Sequence, residues 1–217
     1  MPPKLYAHPF SSYCQKVLIA LYENDTPFEY RALGDETGAA ELKALWPINK
    51  FPVLVDGGKT IAEASVIIEH LGLFHPGPVR LLPEDGRAAL EVRFMDRFFD
   101  NYVMTPQGRI VFDAMRPLAE RDVYGVAEAR AALDTAYRWL DTAMMGHIWA
   151  AGGTFSLADC AAAPALFYAD WTHPIPADLR NVHAYRTRLL TRRSFARAVD
   201  EARPYRQLFP LGAPDRD

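Results

Sequence analysis

Pro76-Gly77-Pro78 divides this chain. Three such residues in succession cannot continue a helix, and the character of the sequence changes across them. Before residue 75 strand-like and helix-like stretches alternate; after it nearly every stretch has a helical period. The 217 residues, 50% of them apolar, suffice for one large or two small packed domains. The expected organisation is an α/β domain over residues 1–75, a linker over 76–86 and an all-α domain over 87–217.

The order of elements in the first part is specific. Leu5-Tyr6-Ala7 reads as a short strand, and residues 12–23 as a helix with Cys14, Val17, Leu18, Leu21 and Tyr22 on one face. Residues 27–33 alternate apolar and polar as a half-buried strand does. That makes a βαβ unit with a right-handed crossover. A short helix over 39–46 ends at Pro47. Asp56-Gly57-Gly58 between two apolar runs signals a hairpin, and residues 63–74 form a closing helix. The order βαβ, α, ββ, α is that of a thioredoxin-like sheet. In such a sheet Pro52, at the start of a strand, cannot donate to the ladder. A cis bond before it, favoured by the fold against the general preference for trans, turns the backbone of Phe51 outward to meet an extended ligand.

Ser11-Ser12-Tyr13-Cys14 opens the first helix. Its hydroxyls can cap the helix, and the first-turn N–H groups favour negative charge. Read locally, the stretch is either an ordinary N-cap or an anion site. Cys14 lies on the apolar face, where a thiol packs as a small hydrophobe. Tyr6, on a strand, is a core residue.

Composition excludes several classes. Net charge is −3 and mixed in sign, with no basic run beyond Arg192-Arg193, so nucleic acid is not an expected partner. No stretch approaches the ~18 consecutive apolar residues of a membrane span, and no signal peptide is visible at the start. Cys14 and Cys160 do not make a disulfide framework, which fits a reducing compartment, the cytoplasm. The six histidines show no metal-ligand spacing, so no metal is expected.

The second part reads as a series of helices. Residues 87–104 form a long one with Leu90, Phe94, Phe98 and Tyr102 recurring every four residues and Met95 and Phe99 widening the stripe. Further helices are expected over 106–115, 126–145, 160–170, around 182–189 and over 194–201. Ser156 with Asp159 three residues on is a capping-box pattern, with Phe155 placed to staple it.

Together these residues resemble the cytosolic glutathione transferase superfamily over essentially the whole chain. The resemblance rests on Leu5-Tyr6-Ala7, the Ser11…Cys14…Val17 helix start, and Asn49-Lys50-Phe51-Pro52-Val53-Leu54. It rests also on Glu63-Ala64-Ser65…Ile67-Ile68-Glu69-His70-Leu71 and on Phe155-Ser156-Leu157-Ala158-Asp159. The serine at position 11 is similar to that of the theta, delta and zeta classes. Glutathione is then the implied co-substrate, and Ser11 the residue whose hydroxyl assists its thiol, with Ser12 the rival. A free thiol has a pKa near ~8.5 and the thiolate is the nucleophile. A donated hydrogen bond stabilises the thiolate, each unit of lowering being roughly 1.4 kcal/mol.

The resemblance further implies that the backbone of Phe51, beside Pro52, pairs with the cysteinyl part. Lys50 is placed for the glycyl carboxylate and Glu63 for the γ-glutamyl amine; the bland reading of Glu63 is a helix N-terminal acid. Ala64 departs from the family, which has a hydroxyl there for the γ-glutamyl carboxylate; Ser65 is the possible substitute. Tyr102, Met104, Arg109, Phe112, Met115 and Phe167 are the implied lining of a pocket for a small hydrophobic electrophile between the domains. The expected activity is glutathione conjugation. The alternatives are a glutathione-dependent isomerase, a non-catalytic binding protein on the same fold, or a thiol reductase using Cys14. The resemblance also implies a homodimer, with Arg93, Arg97 and Asp100 facing a partner or water.

Overall fold

The computed structural model describes residues 2–217. Strand β1 (Lys4–Ala7), helix α1 (Ser12–Glu23) and strand β2 (Glu29–Ala32) make the expected βαβ unit, with β1 and β2 parallel and Leu5 opposite Tyr30. Helix α2 (Glu36–Leu45) leads to β3 (Val53–Asp56), β4 (Lys59–Ala62) and α3 (Ala64–Phe74). The sheet order is β2-β1-β3-β4, with β3 antiparallel to both neighbours. Gly57 and Gly58 join β3 to β4 at φ +54° and +80°, the positive values that a type I′ hairpin turn requires of both its central residues.

Alternation along β1 explains why the sheet is covered on both faces. Leu5 and Ala7 join Leu54 in a core with α1 and α3. Tyr6 points the other way and packs with Val53 and with Leu42 of α2. Tyr6 is thus a core residue, 6% exposed, and burial raises its hydroxyl pKa.

The link to the helical half is tied down. Asn24, at the end of α1, accepts the Val79 N–H through Oδ1 at 2.7 Å and donates through Nδ2 to the Val79 carbonyl at 3.1 Å. The helical half then runs through α4 (Gly86–Phe98), a π-helical turn (Phe99–Met104), α5 (Thr105–Ala114), α6 (Val123–Ala143), α7 (Leu157–Thr172), α8 (Arg180–Leu190) and α9 (Arg193–Ala202). Every residue of α7 is buried, and α7 and α9 pack on α1. The start of α7 is the expected box: the Asp159 carboxylate accepts the Ser156 N–H at 2.9 Å, and also the Ala150 N–H and the Tyr185 hydroxyl.

The long helix departs from its periodic reading. It is interrupted at Phe99, and the stripe expected to mark its packed face is mostly outside. Leu90 is 66%, Phe94 54% and Tyr102 60% exposed, whereas Val92, Met95, Phe99 and Val103 are buried. Two apolar faces exist on this helix, and the four-residue recurrence picks out the outer one. The π-helical turn has a wider hydrogen-bond span than an α-turn and so rotates α5 relative to a regular continuation of α4.

Candidate functional site

The start of α1 carries the serine pair. Ser11 is the N-cap, in extended backbone (φ −86°, ψ 125°), and its Oγ accepts the Cys14 N–H at 3.4 Å. A hydroxyl has one proton and two lone pairs, so Ser11 caps the helix as an acceptor and retains its O–H to donate. Ser12 is the first helical residue. The turn before them is anchored by Gln15, fully buried, whose Nε2 donates to the Pro9 carbonyl at 2.9 Å and to the Tyr168 hydroxyl at 3.0 Å. Gln15 positions the Ser11 loop against α7. Its sequence neighbourhood carries no signal of this, because the partner lies on a distant helix.

Cys14 is fully buried and receives the His8 N–H on Sγ at 3.4 Å. Burial pushes its thiol up to about 12. Cys160 is buried as well and is likewise raised by burial. Neither thiol is a nucleophile at neutral pH. His8, beside the loop, has its pKa lowered by burial.

Two further backbone features face the same region of the sheet half. The Phe51–Pro52 bond is cis, and the ladder of β3 begins only at Val53, paired with Ala62. Phe51 is 40% exposed and Lys50 is exposed. Glu63 precedes α3 in left-handed backbone, φ +72°, with its side chain exposed and making no cap. The first N–H groups of α3, from Ala64 onward, therefore lack a side-chain acceptor, and an anion is the natural partner for such groups.

Ser65 belongs to a different structure. Its hydroxyl accepts from the Lys16 ammonium at 2.9 Å and from Arg97, and donates to Asp96 at 2.8 Å. Lys16, 1% exposed, also pairs with Asp96 at 2.5 Å and Asp100 at 2.9 Å, and Arg97 closes the group on both carboxylates. Two cations and two anions balance. Burial raises the Asp100 carboxyl, and Lys16 opposes it. This network joins α1, α3 and α4 across the two halves. It engages the hydroxyl expected to substitute at Ala64, and it engages Arg97 and Asp100 within the chain. Arg93 likewise pairs internally, with Glu69 at 2.7 Å. All three residues expected to face a partner or water thus have their charges matched inside the chain.

The six residues expected to line one acceptor pocket do not come together. Phe167 is 2% exposed and packed among Tyr168, Trp171 and Phe195, and Met104 is in the core. Phe112 and Met115 are 65% exposed on α5 and after it. Tyr102 and Arg109 line a groove of about 780 Å³ between α4–α5 and α6, with Phe94, Phe98, Ala132 and Trp139. Arg109 stands 3.7 Å from both Asp122 and Glu128, so its charge is matched within the chain. The resemblance assigns these residues one pocket; the π-helical turn and the close packing of α7 divide them.

Asp56, His70 and His75 converge at the opposite end of the sheet half, with both histidine Nε2 atoms on the Asp56 Oδ2 at 2.8 and 2.7 Å. Spacing along the chain hid this group, because Asp56 ends β3, His70 lies in the second half of α3 and His75 is the C-cap of α3.

Comparison with known proteins gives the same picture. The glutathione S-transferase N-terminal domain family matches residues 5–78 and the C-terminal domain family matches residues 123–188. The chain is 31% identical to glutathione S-transferase U10 of Arabidopsis thaliana over 121 residues, 55% of this chain and half the length of that protein. It is 26% identical to glutathione S-transferase hmp2 of Hypomyces subiculosus over 216 residues, 92% of this chain and 99% of that one. A solved glutathione S-transferase of Methylobacterium radiotolerans, in complex with glutathione sulfonate, superposes with a TM-score of 0.80 at 29% identity, covering 92% of this chain and 95% of the other. No helix among the described residues is long and apolar enough to cross a membrane. The sheet, the all-helical second half and both domain matches together make this chain a member of the cytosolic glutathione transferase superfamily.

Proposed function

We propose that this protein binds glutathione along the sheet half and transfers its thiolate to a small hydrophobic electrophile, with Ser11 holding the sulfur. The observation that carries this reading is the place of the Ser11 hydroxyl: it caps the N-terminus of α1 by accepting the Cys14 N–H, and a hydroxyl that accepts one bond also carries a proton that can be donated. A thiolate at the α1 N-terminus then gains that hydrogen bond together with the partial positive charge of the helix end. The extended backbone at Phe51 offers strand-like pairing to the cysteinyl part, and Lys50 lies beside it for the glycyl carboxylate. The Glu63 carboxylate, without a capping role, is free for the γ-glutamyl ammonium. The open N–H groups at Ala64 and after it are the donors for the γ-glutamyl carboxylate. Ser65 contributes no hydroxyl to it in this reading, since its oxygen is held by Lys16 and Arg97. Buried Cys14 leaves no thiol for disulfide exchange, which favours conjugation over a reductase.

The same reading includes a homodimer. The groove of Phe94, Phe98, Tyr102 and Trp139 leaves a large apolar face open on the helical half. Ile48, 63% exposed, and Phe51 are apolar residues open on the sheet half. A two-fold pairing that sets the sheet half of one copy on the helical half of the other covers both.

The test is turnover of an activated aryl halide with glutathione. Ser11→Ala is expected to lower kcat/KM by about a hundredfold, as loss of one donor to a developing anion does, while Ser12→Ala keeps most of the rate. Undiminished turnover in Ser11→Ala overturns the assignment of the sulfur to Ser11. Failure of millimolar glutathione to raise the unfolding temperature overturns the binding itself.

A further inference from the structure

The geometry points to a divalent metal site, of the zinc class, formed by Asp56, His70 and His75. The three ligand atoms lie within 4.8 Å of one another. Both imidazole Nε2 atoms already aim at one point, the Asp56 Oδ2, at 2.8 and 2.7 Å. Two imidazole nitrogens and a carboxylate oxygen are the donor set of zinc and its borderline neighbours, and they are not the all-oxygen set of calcium or magnesium. A tetrahedral zinc with bonds near ~2.0–2.1 Å holds its ligand atoms about 3.3 Å apart. The two histidine–Asp56 distances therefore need to open by about 0.5 Å, and the third ligand pair already lies within 4.8 Å.

The surroundings favour a cation. His75 is the C-cap of α3, its N–H bonded to the Leu71 carbonyl at 2.8 Å, and the last carbonyls of a helix carry partial negative charge. The ring of Phe74 lies 4.6 Å from that of His70 and restrains it. Asp56 is held by the β3–β4 hairpin turn. The side chains are neither sealed nor loose: His70 and Asp56 are 15% exposed and His75 28%. An ion can therefore enter, and a fourth position stays open to water. The nearest chain cation on the hairpin is Lys59, the cross-strand neighbour of Asp56; it is exposed and makes no ion pair among the described residues.

The site lies away from the one proposed for glutathione. Phe51 and Glu63 precede the starts of β3 and α3, whereas Asp56 and His75 close their far ends. Along α3 alone that separation is about 16 Å. A bound ion would fasten the hairpin to the C-terminus of α3, next to Pro76-Gly77-Pro78. Its expected effect is on stability.

The experiment is a zinc titration of the full chain after chelator treatment, without thiols or glutathione in the buffer, read by calorimetry. One zinc per chain is expected, with a zinc-dependent rise in unfolding temperature. Both are lost in His70→Ala and His75→Ala. Asp56→Asn, which keeps the shape and removes the anionic donor, weakens binding markedly. Cobalt(II) in place of zinc should give a ligand-field spectrum without a thiolate charge-transfer band, because both cysteines are buried elsewhere. Glutathione protection should be the same in His75→Ala as in the unsubstituted chain. Absence of a one-to-one zinc isotherm, or an isotherm unchanged in the His70→Ala/His75→Ala chain, overturns the site. A thiolate band overturns the ligand assignment.

Discussion

The ammonium of Lys16, a buried residue, lies 2.9 Å from the hydroxyl oxygen of half-buried Ser65. Through that contact the first helix of the sheet half is bound to α3 and, by way of Asp96 and Asp100, to α4 and the π-helical turn of the helical half. Removing Lys16 alone leaves Arg97 as the one cation paired with two buried carboxylates among the described residues. Lys16→Met is therefore expected to destabilise the fold by about 3–5 kcal/mol. Denaturant unfolding measures this, and Lys16→Met combined with Asp96→Asn and Asp100→Asn should recover part of the loss.

Ser11 has a structural cost separate from its proposed chemistry. Loss of the cap to the Cys14 N–H in Ser11→Ala should lower stability by about 1 kcal/mol. Thermal unfolding checks this, and rates for the variant belong well below its unfolding midpoint. Ser12→Ala, without a capping bond, should unfold within a few tenths of a kcal/mol of the parent.

Cys14 makes the alkaline side of the stability profile steeper. Its thiol is held protonated up to about 12 in the folded chain, against an ordinary value of 9.0. Between those values the folded chain binds more protons than the unfolded one, so stability falls as pH rises through that window. In Cys14→Ala the slope of stability against pH between 9 and 12 should be shallower, whatever the variant's absolute stability. Denaturant titrations at several pH values read the slope directly. At neutral pH the native thiol should resist alkylation.

The outer stripe of α4 is where a second copy is expected. Phe94 is 54% exposed and stands edge-on to Trp139 at 5.9 Å. Phe94→Glu places a charge in an apolar groove without touching the core. Light scattering should show a dimer for the parent chain and a monomer for the variant. A parent that is monomeric at tens of micromolar removes the homodimer from the reading.

Legibility in the sequence tracked the range of the interactions. The Asp56-Gly57-Gly58 hairpin and the Ser156–Asp159 box are made by residues within three or four positions of each other, and both are found where the sequence places them. The Ser11 cap is local in the same way. By contrast, Gln15 and Tyr168, or Lys16, Ser65 and Asp100, meet only after the two halves dock, so no window of sequence contains them. The apolar stripe of α4 misled for another reason. Its periodicity is real, yet an exposed apolar face has the same spacing as one packed in the core. In the π-helical turn at Phe99–Met104, Met104 is buried and Tyr102 stays on the outer face.

Glu63 is the place where two demands on one residue pull apart. At φ +72° its backbone occupies a region that suits glycine and costs a residue with a side chain about 1–3 kcal/mol. A chain selected only for resistance to unfolding would hold glycine there, and it would present no carboxylate to a ligand. Glu63→Gly should raise the unfolding free energy while glutathione protection declines. Opposite movement of these two readouts would mark Glu63 as a position where the protein gives up rigidity to keep a recognition group facing outward.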